Sequence, residues 1–242
     1  MSGKKINLHN HTQFSDGGYS PEEIVNAAVQ ARLDDVGISD HFYTQKVFHG
    51  LSLEVYLGSV WQEYLKFARR TQQIPNPAIK VWVGIEIDSC FRRVGKTLEA
   101  LPWNEINTLD YVLMEYIGET DGGGLPISEL GKLRALCQIP LVLAHPNIEH
   151  LTETVPLHGL VEVLRMHRIA LEIPGGSRNH WYWNEFDPTP LSRLSLTIGT
   201  DTHEDITQVG AVDKALAFLQ KHSLEKNLGD PGSLNTRTGG AS

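Results

Sequence analysis

Seven short apolar runs recur along the chain, and segments with helical character separate most of them. The runs are continuous rather than strictly alternating, which is typical of parallel strands that are buried on both faces. Alternation of strands and helices predicts a parallel sheet covered by helices, that is, an α/β fold. In chain order the runs are KINLH, DVGIS, KVWVGIEI, DYVLMEYI, PLVLAH, IALEI and LTIGTD.

The segment after the first run has the strongest helix signals. Ser20 can cap a helix, Pro21 suits the first helical position, and Glu23 completes a capping box. Apolar residues then recur at helical spacing. The same spacing predicts helices in LEVYLGSVWQEYLKFARRT, ISELGKLRALCQ, LHGLVEVLRMHR and TQVGAVDKALAFLQKH.

Periodicity alone does not decide whether the sheet is open or closes into a barrel. The chain shows no internal repeat and no internal linker, so we expect a single domain over residues 1–222. Residues 223–242 are polar and rich in glycine, and we expect them to form a flexible C-terminal tail.

Composition restricts the possible partners and the compartment. The net charge of −8 argues against binding of an extended nucleic-acid duplex, which needs clustered Lys and Arg. The two cysteines, Cys90 and Cys137, are far apart in sequence and form no CxxC pattern, which favours a reducing compartment. No stretch has the features of a signal peptide or a membrane helix, so we expect a cytoplasmic protein with no membrane partner.

Histidine and carboxylate residues fall at the ends of these apolar runs. The carboxyl ends of parallel strands are where sites assemble in α/β folds. Side chains two positions apart on a strand face the same side, so His9 with His11, and Asp201 with His203, can converge on one centre. Glu86 needs a cation, because an unpaired carboxylate inside an apolar strand is costly. The residues in these positions are His9, His11, His41, Glu86, His145, Glu172, Asp201 and His203.

These motifs together resemble the polymerase and histidinol phosphatase (PHP) family of metal-dependent phosphoesterases, in its small stand-alone form. The likeness spans residues 8–203 and includes LHNHT, SDG, SDH, GIE, AHP and GTDTH. It implies a distorted (β/α)7 barrel with up to three metals at the carboxyl ends of the strands. The implied ligands are His9, His11, Glu86 and Asp201 for one metal, Glu86 and His145 for a second, and Asp16, His41 and His203 for a third.

One ligand of the family pattern is missing from this sequence. The histidine that commonly follows the fourth strand would fall near Ile117, within DYVLMEYIG. Glu115 lies two positions earlier and can substitute, since a carboxylate serves the same metals. The alternative is that Glu115 faces elsewhere and the second metal is weak or absent, which leaves the number of metals at two or three.

The implied chemistry is hydrolysis of a phosphate ester. Mixed imidazole and carboxylate ligands suit Zn, Mn or Fe(II), and a pair of such metals activates a water for attack on phosphorus. The expected catalytic residues are Glu86, which bridges metals beside that water, and Asp16 or His203, either of which can protonate the leaving oxygen.

Basic residues in the loops beyond the third and sixth runs are candidates for binding a small phosphorylated metabolite or nucleotide. Aromatic residues in the loops at the same edge of the sheet either stack on the substrate or pack over the barrel mouth. The substrate-binding candidates are Arg92, Arg93, Arg178 and His180, and the aromatic residues are Tyr43, Trp181 and Tyr182.

Other functions compete with this hypothesis. The same site suits an exonuclease or oligonucleotide phosphodiesterase, and the family includes histidinol and protein-tyrosine phosphatases. An amidohydrolase-like barrel is disfavoured, because Glu86 takes the bridging role and no lysine occurs inside the runs. A non-catalytic metal-binding module with a decayed site is the alternative from another class. The oligomeric state stays open.

Overall fold

A computed structural model of the chain describes residues 4–42, 51–74, 79–91, 96–176, 182 and 186–234. Nine short strands and nine α-helices are defined within these residues. The strands are β1 (Ile6–Asn7), β2 (Asp35–Ile38), β3 (His41–Phe42), β4 (Lys80–Val83), β5 (Glu86–Asp88), β6 (Val112–Glu115), β7 (Leu141–Leu143), β8 (Ile169–Pro174) and β9 (Leu196–Gly199). The helices are α1 (Pro21–Gln30), α2 (Leu53–Gly58), α3 (Val60–Gln72), α4 (Trp103–Ile106), α5 (Leu130–Leu136), α6 (Ile148–Thr154), α7 (Leu157–Met166), α8 (Asp213–Lys221) and α9 (Pro231–Leu234).

All the strand pairs are parallel, and the nine strands fill seven positions. They form two hydrogen-bonded groups, in the orders β1-β2-β4 and β3-β5-β6-β7-β8-β9. The two residues between β2 and β3 face the two between β4 and β5. Hydrogen bonds from Gly84 N to Ile38 O, 2.8 Å, and from Glu86 N to Asp40 O, 3.0 Å, carry the pairing across this gap. Each pair, β2 with β3 and β4 with β5, is therefore one interrupted strand.

The first and last strands lie side by side. Leu8 N donates to Ile198 O at 2.8 Å, and Asn10 pairs with Thr202 in a parallel bridge just beyond the strand ends. The sheet therefore closes on itself, which decides the question that periodicity left open. The predicted distorted (β/α)7 barrel is confirmed.

Tyr111 occupies the inside of the barrel. Its side chain is fully buried among Leu8, Leu113 and Val142, and its hydroxyl donates to Leu8 O at 2.5 Å. A Cβ at Gly37 would lie 2.1 Å from the tyrosine hydroxyl, and one at Gly84 would lie 2.4 Å from the ring. Glycine is required at both positions because the strand backbones approach the ring so closely.

The helices cover the outside of the barrel. The capping box of α1 is present as predicted, because the Ser20 side chain accepts from Glu23 N and the Glu23 side chain accepts from Ser20 N. The long helix predicted in residues 53–71 is instead two helices, α2 and α3, that meet at Ser59. The Ser59 hydroxyl donates to Val55 O at 2.6 Å, which ends α2. No helix in the described ranges is long and apolar enough to cross a membrane.

Residues 223–234, expected as the start of a flexible tail, pack against the end of the barrel opposite the strand-end histidines. Leu228 bridges to Leu196, and Leu234 from α9 packs with the buried cluster around Leu8. Lys4 forms ion pairs with Asp230 and, at 2.8 Å, with Asp35. Residues 223–234 therefore contact the barrel, and the flexibility of the segment stays a prediction. The rest of the predicted tail, residues 235–242, lies outside the described residues.

Candidate metal centre

Imidazole and carboxylate side chains converge at the carboxyl ends of the barrel strands. The register of β3 with β5 sets His41 opposite Glu86, and β6 ends at Glu115 beside them. The remaining members of the cluster lie in the segments that follow β1, β7 and β9. They are His9, His11, Asp16, His145, Asp201 and His203.

Glu86 lies at the middle of the cluster and is fully buried. Its Oε1 lies 3.0 Å from His145 Nε2 and 3.2 Å from His9 Nε2. Its Oε2 lies 3.0 Å from His41 Nδ1 and 3.3 Å from His11 Nε2. One carboxylate therefore contacts four imidazoles that come from three different parts of the chain.

The oxygen Oε2 of Glu86 is the clearest indication that these residues suit a cation. It makes no hydrogen bond with any of the described residues, although the nitrogens of His11 and His41 are close. Leaving a buried carboxylate oxygen unsatisfied costs several kcal/mol unless a charge partner is supplied. A divalent metal among these donors would satisfy it, and the donor set of imidazoles and carboxylates fits Zn, Mn or Fe(II).

Three overlapping groups of donors satisfy the distance requirement for holding a metal. In each group, one ligand atom from every residue lies within 4.8 Å of the others. The groups are His9, His11, Glu86 and Asp201; His11, Asp16, His41 and His203; and His41, Glu86 and Glu115. The first is the set that the family resemblance implies, and the second is the implied third set with His11 added.

The remaining implied set is Glu86 with His145. These two residues lie close together, and other donors of the cluster lie beside them. His145 Nε2 lies 3.0 Å from Glu86 Oε1 and 3.9 Å from Glu115 Oε2. Glu115 Oε1 also lies 3.6 Å from His41 Nδ1. Glu115 is therefore at the centre, where the missing histidine of the family pattern would be expected to contribute.

The backbone explains why Glu115 and Ile117 face different ways. Tyr116, between them, has φ of +59°, in the left-handed region that breaks the alternation of a strand. As a result Glu115 points into the centre, while Ile117 is buried in the apolar layer between barrel and helices. His145 and Asp201 also have positive φ, +22° and +51°. Such strained non-glycine residues concentrate at functional sites.

The charges of the cluster shift the pKa values of its members in opposite directions. Burial alone would raise the pKa of Asp201, but a hydrogen bond from His11 and the charges of His9 and His11 hold it well below its usual range. Burial alone would lower the pKa of His145, but its hydrogen bond and charge interaction with Glu86 raise it to about 9. Asp201 is thus ionised at neutral pH.

Asp16 and His203 form the exposed side of the centre. Asp16 Oδ1 lies 3.1 Å from His203 Nε2 and 3.6 Å from His41 Nε2. The Asp16 side chain is 30% exposed, whereas that of Glu86 is 0% exposed. Despite its partial burial, the hydrogen bond from His203 and the charges of His41 and His11 hold the pKa of Asp16 far below its usual range. The centre is open to solvent on this side.

The predicted substrate-binding residues Arg92, Arg93, Arg178 and His180 lie outside the described residues, as do Tyr43 and Trp181. Tyr182 is described and is buried. Its hydroxyl donates to Pro174 O at 2.6 Å, and its ring packs against Phe218. Of the two alternatives for this tyrosine, packing is the one that the structure shows.

Two buried carboxylates next to the centre were given no role from the sequence. Glu172 Oε2 lies 3.0 Å from His9 Nδ1. Asp40 accepts hydrogen bonds from Thr12 N at 2.7 Å and from the Ser15 hydroxyl at 2.6 Å, which holds the loop after His11. The signal was available for Glu172, since a carboxylate within the apolar run IALEI needs a partner for the same reason as Glu86 does.

The family model of the PHP domain matches residues 7–166. The chain belongs to the PHP family. The match includes every residue of the candidate centre except Asp201 and His203, which β9 delivers to the same place. Membership in this family supports the assignment of the chain as a metal-dependent hydrolase of phosphate esters.

Two solved structures resemble this PHP chain over most of its length. One is a histidinol phosphate phosphatase from Lactococcus lactis complexed with zinc, L-histidinol and phosphate, at 18% identity and a TM-score of 0.52, covering 91% of this chain and 94% of that one. The other is a putative histidinol phosphatase from Listeria monocytogenes, at 14% identity and a TM-score of 0.60, covering 87% and 99%. At these identities the likeness establishes the fold. No curated protein matches the chain significantly.

Proposed function

We propose that this protein hydrolyses a phosphate ester of a small metabolite or nucleotide at a centre of two or three divalent metals. The observation that carries the proposal is Glu86 Oε2, a buried carboxylate oxygen beside two imidazole nitrogens, with no hydrogen bond among the described residues. A bound divalent cation would satisfy this oxygen and leave the surrounding imidazoles neutral. The donor set favours Zn, Mn or Fe(II).

The first metal would be held by the fully assembled group that includes both histidines after β1. A second would lie between Glu86, Glu115 and the imidazoles of His41 or His145. Divalent metals, when bound, polarise phosphoryl oxygens and lower the pKa of a bound water to about 7. A third would use the more exposed group around Asp16. The residues of the first group are His9, His11, Glu86 and Asp201.

The residues of the chain supply charge and a proton. Glu86 is ionised, because the charges of His9 and His41 hold its pKa well below the usual range despite burial, so it can bridge two cations. In the metal-free protein the hydrogen bond from His203 and the charges of His41 and His11 keep Asp16 ionised at neutral pH despite its partial burial, which favours His203 over Asp16 as the proton donor. We assign protonation of the leaving oxygen to His203, 3.1 Å from Asp16, in a two-metal centre. In a three-metal centre His203 is a ligand instead.

The substrate would enter from the side of Asp16 and His203, because this side of the cluster is the more exposed. We propose that Arg92, Arg93, Arg178 and His180 contact its phosphate, as expected from their place in loops at this edge of the barrel. The solved relatives that act on histidinol phosphate provide a first substrate to test.

The experiment is hydrolysis by the purified chain after reconstitution with Zn, Mn or Fe(II). The substrates are p-nitrophenyl phosphate, its bis-ester, L-histidinol phosphate and a panel of phosphorylated metabolites and short oligonucleotides. We expect turnover of a small phosphate ester, and we expect His9→Ala to lose both metal and activity. His150→Ala is the matched control, because this histidine on α6 is partly exposed and pairs with Glu153.

Two results would contradict the proposal. The first is the absence of hydrolysis with all three metals while His9→Ala keeps the metal content of the wild type. The second is less than one metal per chain in the reconstituted wild type, which would favour a decayed site. Faster hydrolysis of the bis-ester and the oligonucleotides than of monoesters would instead favour the phosphodiesterase alternative.

A further inference from the structure

Glu172, in β8, contacts two residues of the candidate centre at the same time. It is fully buried within an apolar strand. Its Oε2 lies 3.0 Å from His9 Nδ1, and its Oε1 accepts a hydrogen bond of 2.9 Å from the backbone N–H of His145. The two oxygens of one carboxylate therefore engage two different strand ends.

We propose that Glu172 is a positioning residue that fixes the tautomer of His9 and the backbone of His145, so that both imidazoles present Nε2 to the metals. This inference rests on the metal centre of the proposed function. Glu172 itself lies behind the ligands, since it contacts the cluster through the far nitrogen of the His9 ring and the backbone N–H of His145.

The tautomer of His9 follows from its surroundings. A ligating imidazole must keep one nitrogen free of hydrogen, and a carboxylate at the other nitrogen holds the proton there. In His9 the nitrogen facing Glu172 is Nδ1. The opposite nitrogen, Nε2, lies 3.2 Å from Glu86 Oε1 and 3.6 Å from Asp201 Oδ1, within the first donor group. Glu172 thus directs the lone pair of Nε2 toward the site.

The backbone of His145 needs an external partner for a different reason. Its φ of +22° is unfavourable for a residue with a side chain, and such a conformation persists only where surrounding contacts hold it. The hydrogen bond to Glu172 provides one such contact. The conformation in turn places His145 Nε2 3.0 Å from Glu86.

Gly199 has no side chain that would occupy the space where Glu172 and His9 meet. It lies at the end of β9, and a Cβ there would be 2.3 Å from Glu172 Oε2 and 2.5 Å from His9 Cβ. Any larger residue would separate the carboxylate from the imidazole. The absence of a side chain at this position is what allows Glu172 and His9 to meet.

Both oxygens of Glu172 act as acceptors, so an amide cannot replace the carboxylate. Glutamine offers one acceptor oxygen and an NH2 donor. In Glu172→Gln, either His9 Nδ1–H or His145 N–H would face the amide NH2 and lose its acceptor. The change in volume is small, so the variant isolates hydrogen bonding from packing.

The test is zinc affinity of the full chain, measured by competition with a chromophoric chelator. Loss of a carboxylate behind a ligating histidine typically costs about 10- to 100-fold in metal affinity, and we expect E172Q to fall in this range. Asp110→Asn is the matched control. Asp110 also accepts several hydrogen bonds, from Arg69 and Val83 N among others, but at the opposite end of the barrel, so its replacement should leave zinc affinity unchanged.

A second measurement separates positioning from a merely structural role. Nitrogen-15 NMR of histidine-labelled, zinc-loaded protein should show His9 bound through Nε2, with a protected Nδ1–H that E172Q shifts or loses. Equal zinc affinity in E172Q and wild type would overturn the proposal, as would zinc bound through Nδ1 of His9. Neither measurement uses hydrolysis, so zinc binding without turnover would contradict the proposed function while leaving this inference testable.

Discussion

His41 and Glu86 are register partners on neighbouring parallel strands, and His41 Nδ1 lies 3.0 Å from Glu86 Oε2. Strand pairing rather than loop conformation thus sets this contact. Glu86 belongs to two of the three donor groups, so any metals bound in both groups share it. His11 and His41 likewise belong to two groups each, so Glu86 is the carboxylate that joins two groups, alongside these two histidines.

Replacing Glu86 with Gln should consequently remove metal from two positions at once. We expect metal content to fall by at least one ion per chain, and hydrolysis to fall by more than the roughly 10- to 100-fold typical for residues behind a ligand. Elemental analysis after reconstitution, together with the phosphatase assay, measures both. Unchanged metal content would show that Glu86 is not a ligand. His150→Ala should match the wild type.

Glu115 should determine which metal the second position prefers. Glu115→Ala is expected to lose an ion held by Glu86 and Glu115, while Glu115→His replaces the carboxylate by an imidazole and should shift preference toward zinc over manganese. Competition between the two metals, read by elemental analysis, distinguishes these outcomes. If both variants keep the wild-type content and preference, Glu115 does not bind a metal.

Metal affinity should rise with pH until about pH 9. The interaction with Glu86 raises the pKa of His145 from 6.5 to about 9 in the metal-free protein, so below that value a proton must leave before Nε2 can bind a metal. The same shift stabilises the metal-free fold fully below pH 6.5, and this stabilisation is lost as the pH rises through about 9. Manganese titrations across this interval measure the first effect. A plateau already reached near pH 7 would contradict it.

Leu234→Ala should destabilise the whole barrel, although the residue is eight positions from the last residue of the sequence. Leu234 is 5% exposed and packs with the cluster inside the barrel, and truncation of a buried leucine costs about 2–5 kcal/mol. Urea unfolding measures the free energy of unfolding. Leu51→Ala, at a leucine that is 37% exposed, is the control and should change it little. An equally small effect at Leu234 would show that α9 does not seal the barrel.

The convergence of ligands could be predicted from sequence, because it depends only on strand period and strand direction. His9 and His11 are two positions apart at the end of the first run, so their side chains face the same side. Parallel strands end at the same edge of the sheet. The capping box of Ser20 and Glu23 is similarly local. Ring closure could not be predicted from periodicity, since an open sheet and a barrel have the same alternation of elements. It depends on hydrogen bonds such as Leu8 N to Ile198 O, which join distant segments.

Backbone conformation and sparse apolar contacts account for what the sequence did not reveal. The left-handed backbone of Tyr116 turns Glu115 and Ile117 to different sides. A tyrosine in the sequence gives no indication of this backbone conformation. The polar composition of residues 223–234 predicts flexibility, yet Leu228 and Leu234 in this segment are buried against the barrel. The sequence assigns no role to Glu172, because a carboxylate in an apolar run indicates that it needs a partner but does not indicate which residue the partner is.

The junction between the first and last strands has a consequence for how the protein is made. Asp201 and its strand are synthesised almost two hundred residues after His9. Since the first donor group includes both, this group is complete only after β9 has been synthesised and has paired with β1. A metal that needed all four donors of this group would therefore bind only to a chain whose ring has closed.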